Sequence, residues 1–155
     1  MRHLVTIFFA ILLTTSAISA HEHHAPHKGT LVELGKEFAH LELVLDPGTG
    51  TLTGYALDGE AENPVRIEQG DMEIRIANIK TLDGGESKVI YTFKLEAVPN
   101  VLTGETVGDT SEFTVRSDKL KDAQRFDGVI SAINIKGQSF KDVTFGFPEG
   151  NEGSK

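Results

Sequence analysis

Residues 38–57 read FAHLELVLD-PGTG-TLTGYAL, two alternating segments joined by a turn sequence. In the first segment Ala39 and the leucines at every second position after it share one side, which is the period of a strand with one buried face. Proline presets φ and glycine permits positive φ, so the PGTG stretch predicts a turn. Residues 38–57 are therefore predicted to form a β-hairpin.

The rest of the chain repeats this pattern of short strands and turns. Strand-like segments cover residues 30–34, 64–68, 71–80, 88–98, 111–116, 129–136 and 139–147. Asn78 falls on the apolar side of its segment by alternation, and residues 99–110 are expected to form a long loop. One short helix is predicted to begin after Ser117, a good N-cap, and to end near residues 126–128. The fold class is therefore all-β, a single antiparallel β-sandwich (Ig-like) with at most one short helix.

The first twenty residues have the layout of a secretory signal peptide. Arg2 precedes an apolar run over residues 4–13, and small residues follow up to Ala20. The run is too short for a retained membrane anchor, which needs ~20 apolar residues. Cleavage is expected after Ala20, with Ser19 as the alternative. The predicted organisation is a signal peptide at 1–20, a His-rich leader at 21–29, a β-domain at 30–147 and a disordered tail at 148–155.

Composition indicates the compartment and excludes several partners. The chain of 155 residues contains no cysteine, which excludes disulfides and thiolate metal sites. The formal charge is −8, and loss of Arg2 with the signal peptide makes it −9. This acidity argues against nucleic acid and anionic membrane surfaces and favours cations. We expect a periplasmic or secreted protein with no membrane span after signal cleavage.

Four of the six histidines lie in residues 21–27, within the tract HEHHAPHKG. Imidazole is a common ligand of Zn²⁺ and Cu²⁺, so His21, His23, His24 and His27 are predicted to bind a divalent transition metal ion, most simply copper or zinc. If the mature chain begins at His21, its amine, two backbone amides and the third-position imidazole suit square-planar Cu²⁺ or Ni²⁺. Alternatively, the amine and the His21 imidazole chelate copper. The competing interpretation is a solvated leader with no bound metal.

His40 and Glu42 are two further candidate metal ligands. They lie two apart on the predicted strand and hence on one face, opposite the apolar face. We expect both to be at least partly exposed and able to complete a site if the leader folds back. The alternative is that they are ordinary surface residues. Glu33 and Glu37 are weaker candidates.

Catalysis has little support in the sequence. It contains no GxSxG, HExxH, P-loop or dinucleotide-binding motif. A Ser-His-Asp triad would depend on His40, the only histidine outside the leader and the signal peptide. We therefore expect a non-enzymatic protein. A structural or protein-interaction domain is the rival, and a copper oxidoreductase using His21 is third.

The order of residues in 24–35, 39–46 and 50–58 resembles the opening of small exported bacterial β-proteins. It is also similar to the N-terminal extension of periplasmic adaptor subunits of heavy-metal efflux (RND) pumps. Residues 111–113 and 133–140 resemble the same small proteins. The resemblance implies a periplasmic β-domain linked to divalent-metal handling, with a possible efflux-pump periplasmic component as partner. The residues that match by position are His24, His27, His40 and Glu42. This chain departs from the pattern at Lys28-Gly29, where Gly-Gly is expected, and at Leu45, where a histidine is common. It also lacks the coiled-coil hairpin that an adaptor needs.

Overall fold

The structure is a computed structural model that describes residues 24–151, and its regular elements are nine β-strands. They are β1 (Thr30–Leu34), β2 (Ala39–Asp46), β3 (Thr51–Leu57), β4 (Asp71–Thr81), β5 (Glu86–Ser87), β6 (Tyr91–Ala97), β7 (Glu112–Arg116), β8 (Ala123–Ile135) and β9 (Gln138–Phe147). Two single 3₁₀ turns, Val101–Thr103 and Asp118–Leu120, are the only helical elements within residues 24–151. The prediction of an all-β fold is confirmed.

The strands form one antiparallel sheet in the order β1-β2-β3-β7-β6-β4-β8-β9, with β5 paired to β4. The sheet curls until β1 and β9 approach each other, so the architecture is sandwich-like and nearly closed, like a barrel. Residues 148–151 complete the approach. The Thr30 hydroxyl donates to the Pro148 carbonyl at 3.1 Å, and the Asn151 side chain bonds both the backbone N–H (2.7 Å) and C=O (3.1 Å) of Glu33.

The apolar core lies inside the curled sheet and follows the predicted alternation. Ala39, Leu41 and Leu43 of β2 are fully buried, and so are Met72, Ile74 and Ile76 of β4. Phe113, Leu95, Ile130, Ile133 and Ile135 pack in the same cluster. Because β2 and β3 turn one face to this core, the other face carries His40, Glu42 and Tyr55 on the outside of the sheet.

The predicted strand over residues 64–68 is wrong. Pro64 and Ile67 make only isolated bridges, to Leu57 and Thr110. Proline has no N–H to give to a ladder, and the segment runs across the ends of β3 and β7. Ile67 is nevertheless buried, which explains its apolar character.

The predicted helix after Ser117 is also wrong. The Ser117 hydroxyl does accept from Lys119 N at 3.2 Å, but only a 3₁₀ turn follows and β8 begins at Ala123. Irregular pairing between β4 and β8 puts Ala123 and Phe126 in the core at a spacing of three, which imitates a helical period.

The prediction that Asn78 lies on the apolar side of its strand is wrong because of the same irregular pairing. It has a φ of 52° and is exposed, while the next residue, Ile79, is buried in its place. The Asn78 amide instead donates to Asp127 at 2.6 Å.

Two further boundaries differ from the predictions. Strand β6 begins at Tyr91, and Val89 and Ile90 before it are exposed. The first part of the predicted disordered tail, residues 148–151, packs on β1, whereas residues 152–155 lie outside the described part of the chain. The predicted signal peptide also lies outside it.

Candidate metal centre

The described part of the leader folds back onto the outer face of the sheet through a turn at residues 25–28. Lys28 N donates to the Ala25 carbonyl at 3.0 Å, and Pro26 occupies the second position of the turn, where its fixed φ is favourable. Lys28 has a φ of 61°, a conformation that suits glycine better. The departure from Gly-Gly therefore falls at a position where glycine would be less strained.

Gly29 brings the leader against β2. A Cβ at this position would lie 2.6 Å from the Leu43 carbonyl oxygen and 2.8 Å from a Val44 methyl carbon. Any side chain would therefore push the leader off the strand. The close approach places the backbone N–H groups of the leader over Glu42.

Glu42 anchors the leader with both carboxylate oxygens. Oε1 accepts from the backbone N–H groups of His27 and Gly29, each at 2.8 Å, and Oε2 lies 2.8 Å from His27 Nδ1. Glu42 is fully buried, although we expected it to be at least partly exposed. The expectation is wrong because the leader covers this part of the outer face. Burial of the carboxylate is offset by these charge-assisted hydrogen bonds.

The His27 ring is held in one position, and its carboxylate partner favours one tautomer of the neutral imidazole. It stacks on Tyr55 with 3.8 Å between ring centroids and 14° between planes, and its side chain is 45% exposed. A carboxylate only accepts hydrogen bonds, so the neutral imidazole donates from Nδ1 and keeps its lone pair on Nε2. This is the arrangement by which outer carboxylates orient metal-binding histidines in proteins.

Tyr55 stands between two carboxylates on neighbouring strands. The pairing register places Glu42 of β2 opposite Tyr55 of β3, and Tyr55 opposite Glu112 of β7. Burial and the charges of Glu112 and Glu42 raise the pKa of the Tyr55 phenol. Burial also raises the pKa of the Glu112 carboxyl, repulsion from Glu105 raises it further, and the positive charge of a protonated His27 ring acts in the opposite direction.

Glu105 is the third carboxylate of this region and is fully supplied with donors. It accepts from Asn100 N at 2.9 Å, the Thr110 hydroxyl at 2.9 Å and the Ser111 hydroxyl at 3.0 Å, and Arg66 Nε lies 3.8 Å away. Burial tends to raise its pKa, but these hydrogen bonds and the Arg66 charge together lower the pKa of Glu105 below its usual value.

His40 is fully buried, so the expectation that it is exposed is wrong. The loop after β3 covers it: His40 Nδ1 lies 3.2 Å from the Asp58 carbonyl oxygen, and Gly59 packs closely on the Glu37 backbone.

The weaker candidates, Glu33 and Glu37, lie near each other at the β1–β2 connection. The Glu33 carboxylate accepts a hydrogen bond from the Glu37 backbone N–H at 2.9 Å, in an exposed position.

The structure thus brings together two of the predicted site residues, His27 and Glu42. His24 is described and exposed, whereas His21 and His23 lie outside the described residues. Within residues 24–151, no group of three or more histidine, aspartate or glutamate side chains is close enough to hold a metal ion. The assignment of metal ligands stays a prediction.

No family model, curated protein or solved structure matches this chain. Within the described residues, the structure contains no helix long and apolar enough to span a membrane.

A cavity of about 420 Å³ lies away from the leader, between β4, β5, β8 and β9. It is lined mostly by charged side chains that pair with each other: Lys80 with Glu86 at 3.2 Å and Arg125 with Glu149 at 2.7 Å. Because these charged side chains pair with each other, they do not form an organised set of ligand-binding groups in the cavity. The leader site is better organised because Glu42 and Tyr55 together fix one ring in one orientation.

Tyr55 and Glu112 were missed by sequence reasoning. Tyr55 lies at an alternate position of a predicted strand, but its partners depend on which strands are neighbours. The pairing of β3 with β7 is non-consecutive, and no local signal in the sequence predicts it.

Proposed function

We propose that this is an exported, non-enzymatic β-domain that binds a divalent transition metal ion, copper or zinc, through its N-terminal histidines. The role would be sequestration or delivery linked to metal efflux, with a periplasmic component of an efflux pump as a possible recipient. The link to efflux depends on the resemblance of residues 24–58 to such proteins.

One observation carries the proposal. His27 is held by a buried carboxylate at Nδ1 and by stacking on Tyr55, so that Nε2 retains its lone pair in a half-exposed ring. A histidine in a solvated leader needs no such support. A preorganised imidazole loses little side-chain entropy when it binds a metal ion.

The remaining ligands would come from the leader itself. His24 is exposed three residues before His27, and His21 and His23 precede it in the sequence. In this arrangement Glu42 orients His27 and stays off the metal, because both of its oxygens already accept hydrogen bonds.

Calorimetry on the untagged mature protein tests this proposal. Zn²⁺, Cu²⁺ and Ni²⁺ are titrated into the wild type and into a variant with His21, His23, His24 and His27 changed to Ala. We expect saturable binding that the variant loses. Lys28→Gly is the matched control, because it keeps every imidazole and relieves a positive φ. Equal weak binding by wild type and variant would refute the proposal, and mass spectrometry of the exported protein would identify its first residue.

A protein-interaction role is the second candidate, favoured by the loop at residues 99–110. Its aliphatic side chains Val101, Leu102 and Val107 are 81%, 92% and 68% exposed. The loop is not loose: Glu105 anchors Asn100 and Thr110, and Arg66 bonds Asp109 at 3.1 Å. A rigid loop that presents aliphatic groups to solvent is typical of a contact surface.

A double variant, Val101→Ser with Leu102→Ser, separates the two candidates. If the loop binds a partner, cross-linking in the exported fraction should trap one protein with the wild type and not with this variant. The histidine variant would still trap that protein. No difference between the wild type and the loop variant would refute an interaction role for the loop.

A further inference from the structure

We propose that Glu112 is a ligand of the same metal ion, which would bind between the Glu112 carboxylate and His27 Nε2. This inference rests on the proposed function and adds a ligand from the sheet to those of the leader.

The register of the sheet places Glu112 where such a ligand is needed. Neighbouring strands lie ~4.8 Å apart, so Glu42 and Glu112 flank Tyr55 on its two sides. The His27 ring lies over Tyr55 and turns Nδ1 toward Glu42. Its other nitrogen, Nε2, points to a different side of the ring, away from Glu42. Glu112 is the carboxylate beyond Tyr55, close enough to interact electrostatically with His27.

Glu112 also differs from the other two carboxylates in what surrounds it. Glu42 accepts three hydrogen bonds and Glu105 accepts three, whereas the Glu112 carboxylate makes no hydrogen bond or ion pair within the described residues. It is nevertheless half-buried and lies near the negative Glu105. A partly desolvated carboxylate without a partner is costly, and a cation beside it would offset that cost.

The chemistry of the pair restricts the cation. One imidazole nitrogen and one carboxylate oxygen suit borderline divalent ions such as Zn²⁺ and Cu²⁺, which both accept mixed N/O ligands. Two ligands do not make a site, so His24 or water would fill the other positions. The ion would then join the leader to β7, across three strands, and hold the leader against the sheet.

The test compares three variants of the mature, untagged protein by calorimetry with Zn²⁺ and by visible absorption with Co²⁺ as a spectroscopic substitute for zinc. Glu112→Gln removes the charged ligand, Glu112→Asp shortens it, and Glu60→Gln makes the same charge change at an exposed position. Loss of a residue that only orients a metal ligand lowers metal affinity by roughly 10–100-fold. We expect Glu112→Gln, which removes a direct ligand, to lower the affinity for Zn²⁺ by at least that factor and to change the Co²⁺ spectrum. The Zn²⁺ affinity of Glu112→Asp should lie between those of the wild type and Glu112→Gln, and that of Glu60→Gln should match the wild type.

The outcomes separate this inference from the proposed function. If the wild type binds Zn²⁺, the four-histidine variant does not, and Glu112→Gln binds with unchanged affinity and spectrum, the inference is overturned and the proposed function stands. If the wild type does not bind, both fail. If Glu60→Gln loses as much affinity as Glu112→Gln, the effect is one of net charge and the inference is overturned. Circular dichroism of each variant establishes that it is folded before titration.

Discussion

Replacing Glu42 by Gln tests the link between the buried carboxylate and the His27 nitrogen that we propose as a metal ligand. The substitution keeps one oxygen, which still accepts from the backbone N–H groups of His27 and Gly29. The amide NH₂ then takes the place of Oε2, 2.8 Å from His27 Nδ1. Since NH₂ donates, Nδ1 must accept, and the proton of the neutral ring moves to Nε2. Nε2 then has no lone pair for a metal.

Two magnitudes follow for Glu42→Gln. All three hydrogen bonds lose the negative charge of their acceptor, but the cost of burying that charge is removed as well, so the free energy of unfolding should fall by only about 1 kcal/mol. Affinity for Zn²⁺ should fall by roughly 10–100-fold, about 1.4–2.7 kcal/mol, as expected when the outer partner of a metal-binding histidine is changed. The effect on binding is thus expected to exceed the effect on stability.

The assay is nitrogen-15 NMR of the His27 imidazole in the metal-free protein, together with Zn²⁺ calorimetry. The wild type should show a protonated Nδ1 and an unprotonated Nε2, and Glu42→Gln should show the reverse. Glu60→Gln, which makes the same change at an exposed position, is the matched control and should change neither measurement. An unprotonated Nε2 in Glu42→Gln, or wild-type affinity with a reversed tautomer, would refute the reasoning.

Three further predictions concern stability. Gly29→Ala should lower the free energy of unfolding in urea by about 1–3 kcal/mol, because the Cβ of the alanine would lie 2.6 Å from the Leu43 carbonyl oxygen. An unchanged urea midpoint would show that the leader is not docked on β2. Asn151→Ala should lower the free energy of unfolding by roughly 1–3 kcal/mol and speed amide hydrogen exchange at Glu33, since it removes two hydrogen bonds to the Glu33 backbone. Unchanged exchange would contradict the packing of residues 148–151 on β1. Glu112→Gln should raise the melting temperature at pH 7 in metal-free buffer. The folded-state pKa of Glu112 is raised, so wild-type stability falls as pH rises through the interval between the unfolded and folded values. The gain should therefore vanish below about pH 4, where the carboxyl is protonated in both states, and a gain that persists there would refute the electrostatic explanation.

The sequence predicted the regular strands well because alternation follows directly from the pleat. Strands β1 and β3 have the predicted bounds, and β2 differs by one residue. The prediction from alternation was wrong where the backbone departs from the regular pleat. The irregular pairing near Asn78 places Ile79 in the core and gives Ala123 and Phe126 a spacing that resembles that of a helix. No pattern of period two can predict such a departure, since it depends on how two distant strands pair.

The site was predicted in part. Composition indicated the histidine tract, and alternation placed Glu42 opposite the core face. The expectation of exposure failed because the face away from the core is not all solvent: the leader covers Glu42 and the loop at Asp58 covers His40. The position of Glu112 beside Tyr55 depends on the pairing of β3 with β7, which sequence alone does not predict.

The Asn151 side chain occupies the backbone hydrogen-bonding positions of Glu33 that a further strand would otherwise take. An uncovered edge strand is a template on which other molecules can add, end to end, into insoluble polymers. One amide at the close of the described chain thus protects β1 from such growth.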